Sequence, residues 1–254
     1  MITGASAGIG AAFARALAAR GAHLVLVARR AGPLAALADE LRRTVPVEVV
    51  ALDLSAPAAA ADLHRAVTDR GLHVTSLINN AAVGSFTLFA DADPGQLATE
   101  IALDVAAPVQ LTAAFLPGLR HAGNGFVINL ASASGYLPSP RMAVYSATKA
   151  FMLSFTESLW TELRGTGLTV FAVAPGATAT GFTAHMGPDA AVLTAGKVRR
   201  PEDVVATALH HLERRNPAPA VIDGRANRLT VTLTRFLPRR RTAALMSRIF
   251  DPTR

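Results

Sequence analysis

A tyrosine and a lysine four residues apart, Tyr145 and Lys149, stand near the middle of the chain, thirteen residues after Ser132. On a helix this spacing puts both side chains on one face, a turn apart. A free phenol has a pKa of about 10 and is a weak acid–base catalyst at neutral pH. An ammonium group one turn away favours the phenolate and is expected to bring that pKa toward the working range. Ser132, on the loop before the helix, can hydrogen-bond the oxygen that Tyr145 protonates. A Tyr-x-x-x-Lys pair alone equally suits an ordinary helix surface, so the chemistry needs a second motif.

That motif is the run Thr3-Gly4-Ala5-Ser6-Ala7-Gly8-Ile9-Gly10, after a short apolar start and before a helical run from Ala11 to Arg20. Its glycines permit positive φ and close backbone approach. The helix behind it presents free N–H groups and the positive end of its dipole to a pyrophosphate. The spacing is G-x-x-x-G-x-G, distinct from the commoner G-x-G-x-x-G fingerprint. The next apolar run, His23 to Ala28, has the continuous character of a strand covered on both faces. Arg29-Arg30 follow it with no acid. In a dinucleotide fold an acid at this place holds a ribose 2′-hydroxyl, whereas arginine suits a 2′-phosphate, so NADP(H) is expected over NAD(H).

With both motifs in this order, the sequence resembles the short-chain dehydrogenase/reductase family over roughly residues 1 to 210. The resemblance rests on the glycine run, Asp53 in Ala-Leu-Asp-Leu, Asn79-Asn80-Ala81, Ser132, Tyr145/Lys149 and Pro175-Gly176. It implies an α/β fold, a doubly wound parallel sheet of Rossmann type in a single domain, and carbonyl reduction or alcohol oxidation by Ser132, Tyr145 and Lys149. By the same resemblance the cofactor is held by Gly4, Ser6, Gly8, Ile9, Gly10, Asp53, Leu54, Asn80, Ala81, Pro175, Gly176, Thr178 and Thr180, besides Tyr145 and Lys149. Asp53 then meets the adenine, Lys149 the nicotinamide ribose and Thr180 the carboxamide. Ser134 competes with Ser132, and the gap to Tyr145 and the Ser-x-x-Gly form favour Ser132 by resemblance. The family carries a catalytic asparagine where this chain has Asp104, and its main-chain carbonyl helps hold a water leading to the lysine. A backbone role survives that change, and a carboxylate buried near Lys149 is expected to alter the local electrostatics. Ala82 replaces a usual glycine and is expected to narrow the nicotinamide site.

The chain has 254 residues, 51% of them apolar, enough for a sizeable core. It has no cysteine, which excludes disulfides and thiolate catalysis and suits a reducing cytoplasm. Its seven histidines form no ligand spacing, so no metal is expected. No apolar run reaches membrane-spanning length in the sequence. The net charge of +7 gathers after Glu213, which argues against nucleic-acid binding by the chain as a whole. Only three residues precede the glycine run, whereas a strand averages five or six, so a missing upstream stretch is expected.

Helices are expected over Ala31 to Arg43, Pro57 to Arg70, from Asp93-Pro94, Ile101 to Arg120, Ala143 to Arg164 and Pro201 to Arg214. Further strands are expected at Val47 to Leu52, Ser76 to Ile78, Gly125 to Leu130, Leu168 to Ala174 and Ala220 to Ile222. Ser55 is the better candidate for an N-terminal helix cap than Asp53. The organisation is residues 1–222 as the catalytic domain, with a substrate lid at about 181–200 carrying Phe182, His185, Met186 and Leu193, and 223–254 as its basic helical extension. That extension is expected to pack on the body and bury Phe236, Leu237 and Phe250; contact with a membrane is the less favoured expectation. The long helix from Ala143 implies a homodimer or homotetramer by resemblance, since such helices pair across two-fold axes in the family. Two alternatives stay open: a cofactor-binding regulatory or scaffold protein with little turnover, and a membrane-associated lipid or ketone reductase.

Overall fold

The structure is a computed structural model that describes residues 1–186, 188–194 and 198–250, without the side chains of His185 and Pro188. Part of the expected lid, residues 187 and 195–197, and the His185 side chain therefore lie outside the described residues.

Seven parallel strands form one sheet: β1 (Ile2–Thr3), β2 (Leu24–Ala28), β3 (Val47–Ala51), β4 (Leu77–Asn79), β5 (Phe126–Leu130), β6 (Thr169–Ala174) and β7 (Ala220–Ile222). Their order is β3-β2-β1-β4-β5-β6-β7. The chain reverses its direction of travel between β1 and β4, and ligands of such sheets bind outside the strand ends at that switch point. Successive residues on each strand feed opposite faces. Leu26, Ile128 and Phe171 enter one core with Phe13, Leu34 and Val204. Val27, Val127 and Val170 enter the other with Leu63, Leu111 and Leu159. Two covered faces explain why the strands read as unbroken apolar runs.

One face carries α1 (Gly8–Ala18), α2 (Ala31–Leu41) and α7 (Pro201–Leu212). The other carries α3 (Ala59–Thr68), α5 (Ala107–Ala122) and α6 (Ala143–Glu162). β1 is only two residues long, yet it is central: Ile2 pairs with both Leu26 and Ile78. α3 starts later than expected, and Ser55 is not its cap. Ser55 donates through both its N–H (3.0 Å) and its hydroxyl (2.7 Å) to the Asp53 carboxylate.

α4 (Pro94–Ile101) is opened by Asp93, whose carboxylate accepts the Gln96 N–H at 2.7 Å. It does not stop at Ile101. A π-helical turn, Ala102–Ala106, joins it to α5, and the Ala107 N–H donates to the Ala102 carbonyl. The continuous run Pro94–Ala122 is 29 residues long and apolar enough to cross a membrane by length and composition. This corrects the expectation that no such run exists; the sequence pattern had divided it. In the fold Leu111, Phe115 and Leu119 of this run pack on the sheet.

After β7 come α8 (Arg225–Thr234) and α9 (Arg239–Phe250). The expected burial of Phe236 and Leu237 is wrong: they are 83% and 38% exposed. The helical phase explains this. Val231 and Thr234 of α8 face the body, which turns Leu229, Leu233, Phe236 and Leu237 outward. Thr242 and Met246 anchor α9, and Phe250 is half-buried.

Candidate active site

The ends of β1 and β4 are clamped together by Thr3. Its hydroxyl oxygen accepts the N–H groups of Asn80 (2.9 Å) and Ala81 (3.0 Å). The Asn80 amide in turn donates to the Thr3 carbonyl at 2.8 Å. This closure leaves no room beside Gly10, where a Cβ would come within 2.5 Å of both the Asn80 amide nitrogen and the Gly4 carbonyl oxygen. Gly8 has φ +56°, and a Cβ there would meet the Thr180 methyl at 2.9 Å. Thr180 therefore covers the loop, and together with Ser6, Ala7 and Gly181 it lines an open cleft. Ile9 packs downward on the core.

α1 starts at Gly8 with no side-chain cap and no acid in its first turn. Its first N–H groups are left for an acceptor from outside the helix, and a phosphate is the acceptor that the dipole favours. At the end of β2, Arg30 reaches toward the Ser6 hydroxyl (3.4 Å), and Arg29 lies 3.7 Å from Asp53. Asp53 is held ionised, its carboxyl below the usual range through the Ser55 hydrogen bonds and, less strongly, Arg29. The uncapped helix, the crowded glycines and the two arginines fit the phosphates of a dinucleotide. Leu54 is buried beside Ala81. On the far side of the crevice, the Pro175 carbonyl accepts the Ala133 N–H at 2.8 Å. Thr178 donates to the Gly176 carbonyl at 3.0 Å and bridges to Arg199.

Ser132 caps a short 3-10 turn, Ala133–Tyr136. The Ser134 hydroxyl donates to the Ser132 oxygen at 2.8 Å, so the two serines are coupled rather than alternative. Ser132 lies toward Tyr145 and helps to favour its phenolate. One turn along α6, Lys149 is 3% exposed. Its Nζ contacts the Leu130 carbonyl at 3.4 Å and sits 5.3 Å from the Tyr145 ring centroid. Its shortest contact is Asp104 Oδ2 at 2.9 Å, an ion pair sealed from solvent. The other Asp104 oxygen accepts the Val83 N–H at 2.9 Å. The π-helical turn carries Asp104 at its centre.

This pairing changes the expected electrostatics. Burial is the largest influence on Tyr145 and raises its pKa; Lys149 pulls it down, and Asp104 pushes it up again. The protein alone therefore holds the phenol above its ordinary value, contrary to the expectation from Lys149 spacing. Burial would lower the Lys149 pKa, but Asp104 and Tyr145 outweigh it and keep the ammonium charged. Burial raises the Asp104 carboxyl, with Lys149 opposing.

Beside the phenol, the Phe182 ring stands 5.4 Å from that of Tyr145. Phe86, Met142, Met186 and Ala190 form a buried apolar cluster against Tyr145, Phe182 and Leu193. Phe250 of α9 joins it, 6.4 Å from the Phe86 ring. Gly84 is the close-approach point of this wall; a Cβ there would come within 3.0 Å of Tyr145 and within 2.6 Å of Met186. Arg141, at φ +64°, ties the wall to the lid through Asp189 at 3.0 Å. The sequence motifs did not point to Thr3 as a clamp or to Phe250 as part of the wall; they pointed to a carboxylate near Lys149 but not to the direct Asp104–Lys149 pair. Asp104 offered one signal, a charged residue at a position resembling a catalytic one.

Comparison with known proteins agrees with this geometry. The family model described as short chain dehydrogenase matches residues 1–191. A short-chain dehydrogenase from Sphingobium yanoikuyae, solved in complex with NADPH, is 35% identical, with a TM-score of 0.81 over 97% of this chain and 94% of that one. The bulky-bulky ketone specific alcohol dehydrogenase from Comamonas testosteroni is 31% identical, with a TM-score of 0.75 over 93% of each chain. Sulfoacetaldehyde reductase 2 of Chromohalobacter salexigens is 38% identical over 185 residues, 72% of this chain and 73% of that protein. The chain belongs to the short-chain dehydrogenase/reductase family.

Proposed function

We propose that this short-chain dehydrogenase/reductase uses NADP(H) to reduce the carbonyl, or oxidise the secondary alcohol, of a small to medium and largely apolar substrate. One observation carries the reading: the Tyr145 phenol stands between Ser132 and Lys149 at the foot of an apolar wall made by Phe182, Met186 and Phe86. The nicotinamide, when bound, supplies or takes the hydride. In the reducing direction Ser132 donates a hydrogen bond to the substrate oxygen, and charge develops there against a donor already in place. Tyr145 gives its proton to that oxygen and becomes phenolate. Lys149 stabilises the phenolate, and Asp104 keeps Lys149 in place. The wall excludes water from the reacting carbon and selects apolar substituents.

NADP(H) is favoured by Arg29 and Arg30 at the end of β2, with no acid in the first turn of α2. The Sphingobium relative is described with NADPH. A panel of ketones and secondary alcohols, followed by NADPH absorbance with NADH as control, tests the reading; turnover of none of them, or equal use of both cofactors, refutes the corresponding part. With it we propose a cytoplasmic enzyme that forms a homodimer or homotetramer, for which the α6 face, where Phe151 is exposed and stacks on Phe155, is the candidate contact.

One observation favours a second reading, a cofactor-binding protein with little turnover: the Asp104 carboxylate offsets the field of Lys149 on Tyr145. The outward row Leu229, Leu233, Phe236 and Leu237 among arginines favours a version of the enzyme that works on lipid surfaces, which sedimentation with anionic vesicles tests.

A further inference from the structure

Glu100, one residue before the end of α4, is completely enclosed. Its Oε2 accepts the Ser85 hydroxyl at 2.9 Å, while Oε1 has no hydrogen-bond partner among the described residues. It precedes Asp104 by four residues on the same continuous helical run, and α4 packs against α6, which carries Tyr145 and Lys149. One enclosed cluster thus holds two carboxyl groups and a single ammonium. Asp104 has the better claim on that ammonium, with Lys149 at 2.9 Å and the Val83 N–H on its other oxygen. Glu100 has one neutral donor and a bare oxygen. A buried carboxyl so placed holds its proton more tightly than a free one, because burying an unpaired charge costs far more than burying the neutral acid.

We infer that Glu100 is a positioning residue that holds a proton beside the Asp104–Lys149 pair, and that its ionisation weakens Tyr145 as an acid. The inference rests on the catalytic reading above. Its direction follows from charge count. With Glu100 neutral, Lys149 faces Asp104 alone. With Glu100 ionised, a second negative charge enters the cluster, and the Tyr145 phenolate becomes harder to form. The charged and titratable groups acting on Glu100 are Asp104, which favours its protonation, and Lys149, which opposes it; the Ser85 hydroxyl also opposes it. Burial, reinforced by Asp104, outweighs Ser85 and Lys149 and pushes the carboxyl up to about 7, within the physiological range.

The chain contains only two tyrosines, Tyr136 and Tyr145. In a Tyr136→Phe background the ultraviolet absorbance of tyrosinate therefore reports Tyr145 directly, with no need for turnover. Glu100→Gln is nearly isosteric and permanently neutral, and Glu100→Leu is a second neutral replacement should Gln fail to fold. In either variant Tyr145 should titrate about one pH unit lower than with Glu100 present, a tenfold stronger acid. Melting temperatures supply the second measurement. The folded-state pKa of Glu100 lies above its unfolded value of about 4.3. Its contribution to stability is thus full below that value and is lost as pH rises through about 7. The wild type should lose stability relative to Glu100→Gln between roughly pH 5 and 8. An unchanged Tyr145 titration in the neutral variants overturns the inference, as does a stability gap that does not vary with pH. Absence of ketone turnover with an intact titration shift would instead refute the catalytic reading alone.

Discussion

Lys149 makes its shortest polar contact with Asp104, at 2.9 Å, while the same nitrogen stands 5.3 Å from the centre of the Tyr145 ring. The lysine thus pairs with Asp104 and also faces the phenol proposed as the proton donor. Removing Asp104 should have two separable effects. Asp104→Ala leaves an unpaired buried ammonium and should cost about 3–5 kcal/mol of stability, read by denaturant unfolding. Asp104→Asn removes only the charge, and Tyr145 should then ionise at lower pH. The rising limb of the pH profile for alcohol oxidation, which needs the phenolate, should shift downward with it; an upward shift would contradict the arrangement.

Tyr145→Phe keeps the ring that packs on Phe182 and removes the proton. Turnover should fall by at least about 10²-fold with cofactor affinity retained. Because Ser134 donates to Ser132, Ser134→Ala should reduce turnover less than Ser132→Ala but more than a remote surface change. Steady-state rates and cofactor titrations check both statements.

Arg29 and Arg30 should act together on a 2′-phosphate. Charge-assisted hydrogen bonds are worth about 1.5–3 kcal/mol each, so each arginine replaced by alanine should weaken NADPH binding roughly tenfold or more and leave NADH nearly unaffected. Arg29 also pairs with Asp53, so Arg30→Ala is the cleaner probe.

Asp223, fully enclosed at the end of β7, holds Arg199 through two oxygens at 2.9 and 3.0 Å and accepts the Thr207 hydroxyl at 2.6 Å. Arg199 bridges to Thr178 in the loop after β6 that is proposed to meet the cofactor. Asp223→Asn should therefore cost roughly 1.5–3 kcal/mol and raise the KM for cofactor more than it lowers kcat. A stability loss with unchanged KM would show that this anchor does not reach the site.

The wall formed with Phe250 gives another measurable expectation. Phe250→Ala should raise KM for bulky apolar ketones and leave that for small ketones nearly unchanged, since the ring packs on Phe86 some distance from the phenol. Equal effects on both classes would remove α9 from the substrate pocket.

The sheet was legible because strands such as Leu24 to Ala28 are apolar runs buried on both faces, and that burial leaves its mark residue by residue. The glycine loop and Tyr145/Lys149 were legible because backbone crowding and helix spacing are local properties. The π-helical turn was not: Ala-Leu-Asp-Val-Ala is ordinary helical sequence, and nothing local in it marks the change of turn. Nor was Glu100 with Ser85, fifteen residues apart on different elements with no shared motif. The ionisation of Tyr145 was misjudged for a related reason. Spacing reveals a neighbouring lysine but neither the depth of burial nor the carboxylate that reaches the lysine from another helix. In the tail, composition alone could not say which stripe of α8 would face inward.

The segment of α8 and α9 has one more consequence. Residues 225–250 contain seven arginines and no acid, which equals the whole net charge of +7, so the rest of the chain has as many acidic as basic side chains. The net positive charge is thus carried by α8, α9 and the turn between them, the segment that ends at Phe250. On a cation-exchange matrix the protein should be retained by this segment. Cut after Gly224, the remaining polypeptide would lie near its isoelectric point at neutral pH, where colloidal repulsion is weakest.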